Sequence, residues 1–452
     1  MSEHTTVAPP VLPAMGRVVG LPPIGQADPI VLPPLADVRS TGGLRIIAAR
    51  HASVPIVDLR LLLPLRADTA MDAAVQEVLA GTLLLNTREG GAGPLLNELA
   101  AAGATLSAVR SARRMGVAGT GMANTLALLL TSLNEALVRT GHDVATVTAV
   151  RKQARAKTAL RRSHPQLQVS NALLDHLYGP LPQLQDVPGD EYLARVTAEQ
   201  VRQAHERWLR PEGATLLIVG DLDPERTVAE AERCLAEWLN MPDDPAPLPQ
   251  EPELPARTGT GISWVHRPGA AQSLIRLSAP CPGRDDAEFP ALSLANLVFG
   301  GYFSSRLVAD IRERLGLAYR CEAFFRDHLD QMVVCVEADT ATAHTTTTLR
   351  RIQELMEQLT QHPPSSAEIA AARRYVTGMT TLAVSSQQGW ATSLALAVTT
   401  GRQPERIPRI LDEFAAVTDR EVAAAARHHL PGNFAGVVLG DSAHHHEKGR
   451  LQ

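Results

Sequence analysis

The sequence predicts an α+β protein made of two homologous α/β-sandwich halves, each an antiparallel-rich sheet packed on helices, with a linker between them. The first observation is a long internal repeat, because residues 196–224 match residues 417–443 in order and residue type. A second match joins VDLRLLLP (57–64) to SLIRLSAP (273–280) at an offset of 216 residues, close to the 221 of the longer repeat. The stretch 240–261 between the copies is rich in proline, acid and glycine, which is typical of an exposed linker.

Five segments follow from this pattern. A chain of 452 residues is too long for one ordinary hydrophobic core. Its proline-rich start predicts an extended arm, because proline fixes φ and cannot donate to a strand ladder. The predicted segments are the arm (1–40), the first half (41–239), the linker (240–260), the second half (261–442) and a tail (443–452).

Alternation and helical periodicity predict the elements of the first half in order. β-branched residues and partial alternation favour strands, whereas a 3.6-residue apolar period with capping residues favours helices. Each half then ends in the repeated unit, a threonine N-cap, a helix, a turn and a strand ending in Gly-Asp. The predicted strands cover 44–50, 54–65, 105–111 and 116–122, and the predicted helices cover about 71–85, 93–104 (closed by Gly103), 123–140, 144–162 and 166–178.

The second half contains the segment VFGGYFSSRLVADIRERLGLAY (298–319), which we call the cassette. Gly300 and Gly301 are predicted to form a turn before a helix. Arg312 is predicted in the last turn of that helix, Gly316 permits the following turn, and Tyr319 opens the next strand. This arrangement brings a guanidinium and a phenol to one edge of a sheet.

Composition excludes several classes of function. The net charge of −5 disfavours a general nucleic-acid binder, which usually carries a basic balance. Four isolated cysteines, without a CxxC pair, predict small core residues in a reducing compartment. The start of the chain does not resemble a secretory signal, and no apolar run approaches the roughly 20 residues of a membrane helix. We therefore expect a cytoplasmic protein with neither nucleic acid nor membrane as a partner.

The helix segment RKQARAKTALRR (151–162) carries six basic side chains. Its periodicity predicts that Val150, Ala154, Thr158 and Leu160 pack inward while the charges face outward. A solvated face is the favoured interpretation, a protein-partner surface is the second and a nucleic-acid surface the third.

Two other segments are weaker candidates for a site. His444, His445, His446 and Glu447 carry metal-binding groups, but adjacent tail positions cannot all face one ion, so a disordered end is favoured. TREGGAG (87–93) lacks the GxxxxGK[ST] pattern, which favours a flexible turn. No GxSxG is present to place a nucleophilic serine.

The cassette stretch GGYFSSRLVADIRERLGLAY resembles the motif in the second half of the pitrilysin/insulinase metallopeptidases and of their mitochondrial-processing-peptidase relatives. The resemblance runs from about residue 40 to 442 and is strongest at 292–320. It implies duplicated α+β halves joined by a linker, in agreement with the repeat.

Active members of that family carry an inverted zinc motif, HxxEH, in the first half and a further glutamate on a later helix. The stretch LLLNTREGGAGPLLNELAAAGATLSA resembles the family sequence after that motif, with Thr87 as its anchor, which places Glu77, Ala80 and Gly81 at the positions of His, Glu and His. No HxxEH occurs anywhere in the chain, and the 144–162 segment contains no glutamate. The resemblance thus implies degenerate zinc-motif positions, no metal or cofactor bound by this chain and no catalytic residue of its own.

The cassette keeps the arginine and tyrosine of the family seven residues apart, as Arg312 and Tyr319. In the peptidases this pair reaches across to the zinc site and holds the substrate backbone. Two simpler roles stay open: Arg312 paired with Asp310 or Glu313, and Tyr319 as a half-buried strand residue. Arg306 is expected to organise the helix start or the interface between halves.

The resemblance implies a non-catalytic, substrate-binding subunit of a heterodimeric zinc metallopeptidase, which gives no hydrolysis alone. Its expected partners are a peptide and a homologous HxxEH-containing catalytic subunit that holds the zinc, with peptide maturation or leader removal as the expected role. The alternative is a structural or assembly subunit of a larger complex without proteolytic function. A stand-alone enzyme is disfavoured because no nucleophile or metal constellation is recognisable.

Overall fold

The structure is a computed structural model that describes residues 29–65, 67–85, 94–111, 113–139, 141–181, 187–241, 254–328, 331–430 and 434–444. Most of the predicted arm, most of the linker and the TREGGAG segment lie outside the described residues, as do His445, His446 and Glu447. None of the helices in the described ranges is both long and apolar enough to cross a membrane.

The first half contains six strands and nine helices among its described residues. In chain order they are β1 (Leu35–Arg39), β2 (Arg45–Arg50), β3 (Ile56–Pro64), α1 (Ala70–Thr82), α2 (Pro94–Ala101), β4 (Thr105–Arg110), β5 (Arg114–Met122), α3 (Leu126–Val138), α4 (Val144–Ser163), α5 (Pro165–Tyr178), α6 (Asp190–Leu193), α7 (Ala198–Trp208), β6 (Thr215–Gly220), α8 (Pro224–Cys234) and α9 (Ala236–Leu239). Four of them, β1, α6, α8 and α9, were not predicted, and β1 lies within the predicted arm; the others follow the predicted order, with boundaries shifted by a few residues.

The second half repeats this plan. Two π-helical segments, Leu297–Gly301 and Val308–Arg314, lie between its first α-helix and its third strand. The elements are β7 (Ile262–His266), β8 (Gln272–Pro280), α10 (Phe289–Asn296), β9 (Ala318–His328), β10 (Gln331–Ala341), α11 (Thr345–Gln361), α12 (Ser366–Ala383), α13 (Gln387–Thr399), α14 (Arg406–Ala416), α15 (Asp419–His429) and β11 (Ala435–Gly440).

The two sheets confirm the duplication. The first sheet has the strand order β1-β2-β6-β3-β5-β4, and the second has β7-β11-β8-β10-β9. Without β1 the two orders are equivalent, and each sheet contains one parallel pair, β2 with β6 and β7 with β11. The other pairings are antiparallel. The predicted α+β fold of two homologous halves, each a sheet packed on helices, is therefore confirmed.

The repeated helix-strand units have the same local cause. Thr197 accepts a hydrogen bond from the backbone N–H of Gln200, whose side chain accepts one from Thr197, forming a capping box at the start of α7. Thr418 and Glu421 form the same box at α15. Such a box satisfies two N–H groups that a helix leaves unpaired. The capping signal in both copies was thus predictable from the sequence.

Each half contributes one helix to the sheet of the other. Trp390 and Leu394 of α13 are buried against Ile47 and Leu217 in the first sheet. In return, Leu173 and Leu177 of α5 are buried against β8 and β11 of the second sheet. Because α5 and α13 occupy equivalent places in the repeat, this exchange is reciprocal and joins the halves through apolar burial.

A buried charge cluster reinforces this junction. Arg276 on β8 is 1% exposed, and its guanidinium lies 3.2 Å from a carboxylate oxygen of Glu337 and 2.8 Å from one of Asp339. It also donates to the side chain of Gln166 at the start of α5, and Gln166 in turn donates to Asp339 at 3.1 Å. Arg320 on β9 lies 2.6 Å from Glu337. The cluster therefore ties the second sheet to a helix of the first half.

Two local predictions are wrong. Leu160 is 66% exposed, whereas Val150 and Thr158 are buried, because Leu160 lies two residues beyond Thr158 and so on a different helix face. Gly300 and Gly301 do not form a turn, because they end a π-helical extension of α10. A Cβ on Gly300 would lie 2.7 Å from Cβ of Ala323, so the close approach of β9 requires glycine there.

The basic helix α4 uses part of its charge inside the fold. Arg155 forms two hydrogen bonds to Asp190, at 2.7 and 2.9 Å. Arg151 donates to the carbonyl of Val196, and Arg162 donates to that of Val187. These contacts fasten residues 187–196 to α4, which favours a structural face over a nucleic-acid surface.

Candidate functional site

The cassette folds as two π-helical segments followed by the edge strand β9. π-helical turns are rare and occur frequently at functional sites. The second segment ends at Arg314, after which Gly316 takes a left-handed conformation with φ of 61°. The N–H of Gly316 donates to the carbonyl of Arg312 at 3.2 Å, and the N–H of Leu317 donates to that of Ile311. This turn brings the start of β9 back beside the last turn of the π-helix.

Arg312 and Tyr319 meet in this arrangement. The guanidinium carbon of Arg312 lies 4.6 Å from the centroid of the Tyr319 ring and 5.1 Å from that of Phe303. Such distances are those of cation–π contacts. The guanidinium therefore contacts two aromatic rings, one from a residue before it and one from a residue after it in the sequence.

The three side chains are presented to solvent. Tyr319 is 83% exposed and Phe303 is 63% exposed, while the Arg312 side chain is 32% exposed. Tyr319 is consequently not a half-buried strand residue, as one interpretation of the sequence had it. Large aromatic side chains exposed to this degree and grouped around a cation favour a contact site.

Arg312 forms an ion pair with Glu313 and not with Asp310, the other carboxylate that the sequence suggested. Asp310 is occupied by Arg314 and Arg351, each through hydrogen bonds of 2.7 to 3.0 Å, and these bonds, with that from Arg351 the larger cause, lower the pKa of Asp310. Arg312 instead lies 3.3 Å from Glu313, which is 54% exposed. Because exposed ion pairs contribute little, a bound ligand can replace this one.

Arg306 has a structural position. Its guanidinium forms two hydrogen bonds to Glu368 in the first turn of α12, at 2.7 and 2.8 Å. It also donates to the carbonyls of His362 and Pro363. The hydrogen bonds from Arg306 to Glu368, with smaller contributions from Ser365, lower the pKa of Glu368 to about 2. Arg306 therefore holds the start of α12 against the cassette.

The degenerate zinc-motif positions lie together on α1. Glu77 is half-buried, Ala80 is 8% exposed and Gly81 is exposed. A Cβ on Gly81 would lie only 2.6 Å from Cγ1 of Val150 on α4. These residues do not fit a zinc ion, because only Glu77 offers a donor and a side chain at position 81 would collide with α4. In the described part of the chain, no group of three or more His, Cys, Asp or Glu could hold a metal ion.

The structure also shows residues that sequence reasoning missed. Phe303 precedes Arg312 by nine residues and meets it only because the chain reverses through the cassette. Tyr302, next to Phe303, stacks on Tyr375 of α12 with ring centroids 5.1 Å apart. The two adjacent aromatic residues in GGYFSS were the sequence signal for this group. The residues that contact them, Arg312 and Tyr375, lie at distant positions in the sequence.

A cavity of about 880 Å³ lies elsewhere, between residues 285–291 and the helices α14 and α15. Its charged lining is largely paired, since Arg406 binds both Asp285 at 2.6 Å and Glu413 at 3.1 Å. None of the residues that line this cavity belongs to the cassette.

Comparison with known proteins also indicates similarity to peptidases. Residues 195–376, which include the cassette, match the family described as Peptidase M16 inactive domain. An uncharacterized zinc protease of Mycobacterium leprae is 25% identical over 286 residues, covering 63% of this chain and 64% of that protein. An uncharacterized zinc protease of Streptomyces coelicolor is 24% identical over 234 residues, covering 51% of each. The chain thus spans less than two thirds of the length of these relatives.

Solved structures share the fold over nearly the whole chain. A peptidase M16 inactive domain from Pseudomonas fluorescens superposes with a TM-score of 0.80 at 19% identity, covering 90% of this chain and 98% of that one. A protease from Helicobacter pylori also gives 0.80, at 14% identity, with 91% and 100% covered. The periplasmic protease PqqL from Escherichia coli gives 0.75 at 14% identity, covering 94% of this chain and 49% of PqqL.

The fold and the sequence match together define a peptidase-like protein of the inactive-domain type. The resemblance to the pitrilysin/insulinase peptidases is confirmed, and residues 195–376 match the Peptidase M16 inactive domain.

Proposed function

We propose that this chain is the non-catalytic, substrate-binding subunit of a heterodimeric zinc metallopeptidase. In this role it binds a peptide through Arg312 and Tyr319 and presents it to a homologous catalytic subunit. That partner carries HxxEH and holds the zinc ion, which activates the water molecule that attacks the peptide bond.

One observation carries the proposal. The guanidinium of Arg312 contacts the exposed rings of both Phe303 and Tyr319, while its ionic partner Glu313 is itself exposed. The rings limit the positions of the guanidinium, so that less side-chain entropy is lost when it binds. Its N–H groups and the Tyr319 hydroxyl can both donate hydrogen bonds to a peptide carbonyl or to its developing oxyanion.

The size of a related protein supports a two-unit assembly. Nearly all of this chain, 94%, superposes on only 49% of PqqL, which is described as a protease. A fold of the size of this chain therefore forms about half of that molecule. We propose that in the present case the other half is a separate chain, since Glu77, Ala80 and Gly81 provide no zinc site here.

The alternative, an assembly subunit without proteolytic role, requires no exposed guanidinium in contact with two aromatic rings. The two proposals are separated by reconstitution. The full chain is mixed with an HxxEH-containing homologue and zinc, and cleavage of a flexible, internally quenched fluorescent peptide is measured. We expect cleavage only with both chains present.

Variants then test the named residues. Arg312→Ala is expected to lower kcat/KM of the assembled complex by about 100-fold, the loss typical of one oxyanion donor. Tyr319→Phe is expected to lower it by a smaller factor, because the ring that contacts Arg312 remains. Arg314→Ala, on the same π-helical segment but paired with Asp310, is the matched control and should leave kcat/KM within about twofold. Unchanged turnover for both test variants would reject the substrate-binding role.

Four further parts of the proposal are tested separately. Chelator-sensitive cleavage by this chain alone would contradict the non-catalytic assignment. We also propose a cytoplasmic location, which cell fractionation tests, and a role in peptide maturation or leader removal, which comparison of precursor peptides with and without the gene tests. The proposed halves, 41–239 and 261–442, predict that limited proteolysis first cuts within 240–260.

A further inference from the structure

The exposed apolar surface of the molecule is concentrated beside the cassette. Fourteen large apolar side chains are exposed among the described residues, and six of them lie on the cassette or on α12. Exposed apolar residues scattered singly need no explanation, but a group of them marks a contact surface. The six are Phe303, Leu315, Tyr319, Tyr375, Met379 and Leu382.

Three of these form a stripe on α12. Tyr375, Met379 and Leu382 are 39%, 49% and 65% exposed and are spaced by four and three residues. That spacing places all three on one face of the helix. At a rise of about 1.5 Å per residue the stripe extends about 10 Å, the length of about three residues of an extended peptide.

Direct contacts connect this stripe to Arg312. Tyr375 stacks on Tyr302, with ring planes at 28° to each other. Tyr302 is followed by Phe303, whose ring contacts the guanidinium of Arg312. The surface thus continues from Tyr319 and Arg312 through two pairs of aromatic residues to Leu382, and we call it the α12 track.

A cation lies beside the track. Arg374 is exposed, and it forms neither a hydrogen bond nor an ion pair with any of the described residues. It is near Tyr302: burial raises the pKa of that phenol, and the charges of Glu368 and Arg374 act on it in opposite directions. Glu368 is already neutralised by Arg306 at 2.7 Å, which leaves Arg374 as the uncompensated charge at this place.

We propose that the α12 track binds an extended peptide segment that carries bulky apolar side chains next to a carboxylate. The apolar side chains cover Tyr375, Met379 and Leu382, and the carboxylate pairs with Arg374. This inference rests on the proposed function, because the same peptide continues to Arg312 and Tyr319. It defines the class of substrate that the site selects.

A peptide fits this surface better than a folded partner. Six exposed side chains on the cassette and on α12 are far fewer than the 20–30 residues each partner contributes to a stable protein interface. The charge also favours a flexible acidic ligand, because the free cation of Arg374 lies at the side of the apolar stripe. A guanidinium pairs with a carboxylate in a bidentate geometry that specifies its ligand.

The test uses three fluorescein-labelled Gly-Ser peptides of about twelve residues, with Asp-Phe-Leu, Lys-Phe-Leu or Asp-Ser-Ser at the centre. Binding to the full chain is measured by fluorescence anisotropy. The Asp-Phe-Leu peptide is expected to bind about tenfold more tightly than the Asp-Ser-Ser peptide, since burial of two apolar side chains contributes at least that factor. It is also expected to bind more tightly than the Lys-Phe-Leu peptide, because its carboxylate pairs with Arg374 whereas an ammonium group is repelled.

Variants on α12 assign the effect to the track. The double variant Met379→Ser and Leu382→Ser is expected to remove the tenfold preference for Phe-Leu over Ser-Ser. Arg374→Glu is expected to reverse the preference between the Asp and Lys peptides, which mere loss of structure cannot produce. Leu160→Ser and Arg350→Glu, exposed residues on other helices, are matched controls and should change neither preference.

The outcomes separate this inference from the proposed function. If Arg312→Ala weakens all three peptides while the α12 variants change nothing, the track is rejected and the proposed function stands. If the α12 variants act as expected and Arg312→Ala does not, the track stands and the role of Arg312 is rejected. No binding of any peptide rejects both. Loss of self-association by the α12 variants in sedimentation, without change in peptide binding, would assign the stripe to a second copy and overturn the inference.

Discussion

Gly81 and Val150 face each other so closely that a Cβ at position 81 would lie 2.6 Å from Cγ1 of the valine. Gly81 is on α1, at one of the positions predicted to be degenerate in the zinc motif, and Val150 is on α4, the helix expected to supply a further ligand. Contacts of this length essentially never occur at a real Cβ. A side chain at position 81 therefore requires a shift of Val150 or of α4.

A double-mutant cycle tests this contact. Alanine normally stabilises a helix interior by about 1 kcal/mol relative to glycine. Overpacking costs about 1–3 kcal/mol, so Gly81→Ala is expected to lower the free energy of unfolding in the native background. In the Val150→Ala background, Gly81→Ala is expected to raise it instead. Urea unfolding of the four chains measures the coupling, and additive effects would show that α1 and α4 relax apart without strain.

Zinc binding is not expected to return when the motif alone is restored. The triple variant Glu77→His, Ala80→Glu and Gly81→His supplies HxxEH, but its second histidine meets Val150 and α4 contains no carboxylate to complete the site. We expect well below one zinc ion per chain by elemental analysis after dialysis. Stoichiometric zinc in the triple variant would show that α4 moves and that the loss of the motif was the only defect.

Much of this fold was predictable, because its strongest signals are local and repeated. The capping boxes at Thr197 and Thr418 and the matching strands β3 and β8 show in the sequence as residue types at fixed spacing. The need for glycine at position 300 of the π-helical extension was not predictable, since it depends on the approach of Ala323 from a later strand.

The candidate site was predictable only in part. Arg312 and Tyr319 follow a family motif, and their contact at 4.6 Å depends on a seven-residue separation. Phe303 and Tyr375 join them through contacts between distant segments, which no local pattern encodes. The role of Arg276 was also hidden, because a single arginine in a strand does not show which carboxylates surround it.

Arg276 should be among the most sensitive positions for stability. Arg276→Met leaves Glu337 and Asp339 buried with only Arg320 and Arg326 near them, and removing one partner of a buried ion pair typically costs about 3–5 kcal/mol. Arg314→Met removes an arginine that is 58% exposed and should cost less than about 1 kcal/mol. Urea unfolding of the two variants and of the native chain measures the two losses in the free energy of unfolding. Equal losses would mean that the junction cluster does not stabilise the contact between the halves.

The buried pair of His142 and His205 makes the first half sensitive to acid. Nε2 of His205 lies 2.8 Å from the carbonyl of Leu137, so that nitrogen carries a proton and donates it. Nδ1 of His205 then accepts from Nε2 of His142 at 2.9 Å, and both rings are neutral. Nδ1 of His142 has no hydrogen-bond partner among the described residues. A second proton on His142 would consequently face no acceptor.

Burial lowers the pKa of His142 to about 3, with the charges of His205 and Arg202 as smaller causes, and burial also lowers the pKa of His205. In the unfolded chain a histidine has a pKa of about 6.5. Between pH 6.5 and about 3 the unfolded state binds more protons than the folded state, so the free energy of unfolding falls as the pH falls. At pH 5 the loss from His142 is about 2 kcal/mol relative to pH 7.

His142→Gln isolates this effect, because a glutamine amide can still donate to Nδ1 of His205 but does not titrate. Its free energy of unfolding should fall by about 2 kcal/mol less than that of the native chain between pH 7 and 5, by urea denaturation at each pH. His344→Gln, at an exposed histidine, is the matched control and should follow the native chain. If His142→Gln loses as much stability on acidification as the native chain, the buried pair is not the source of the acid sensitivity, and titrating carboxylates must account for it.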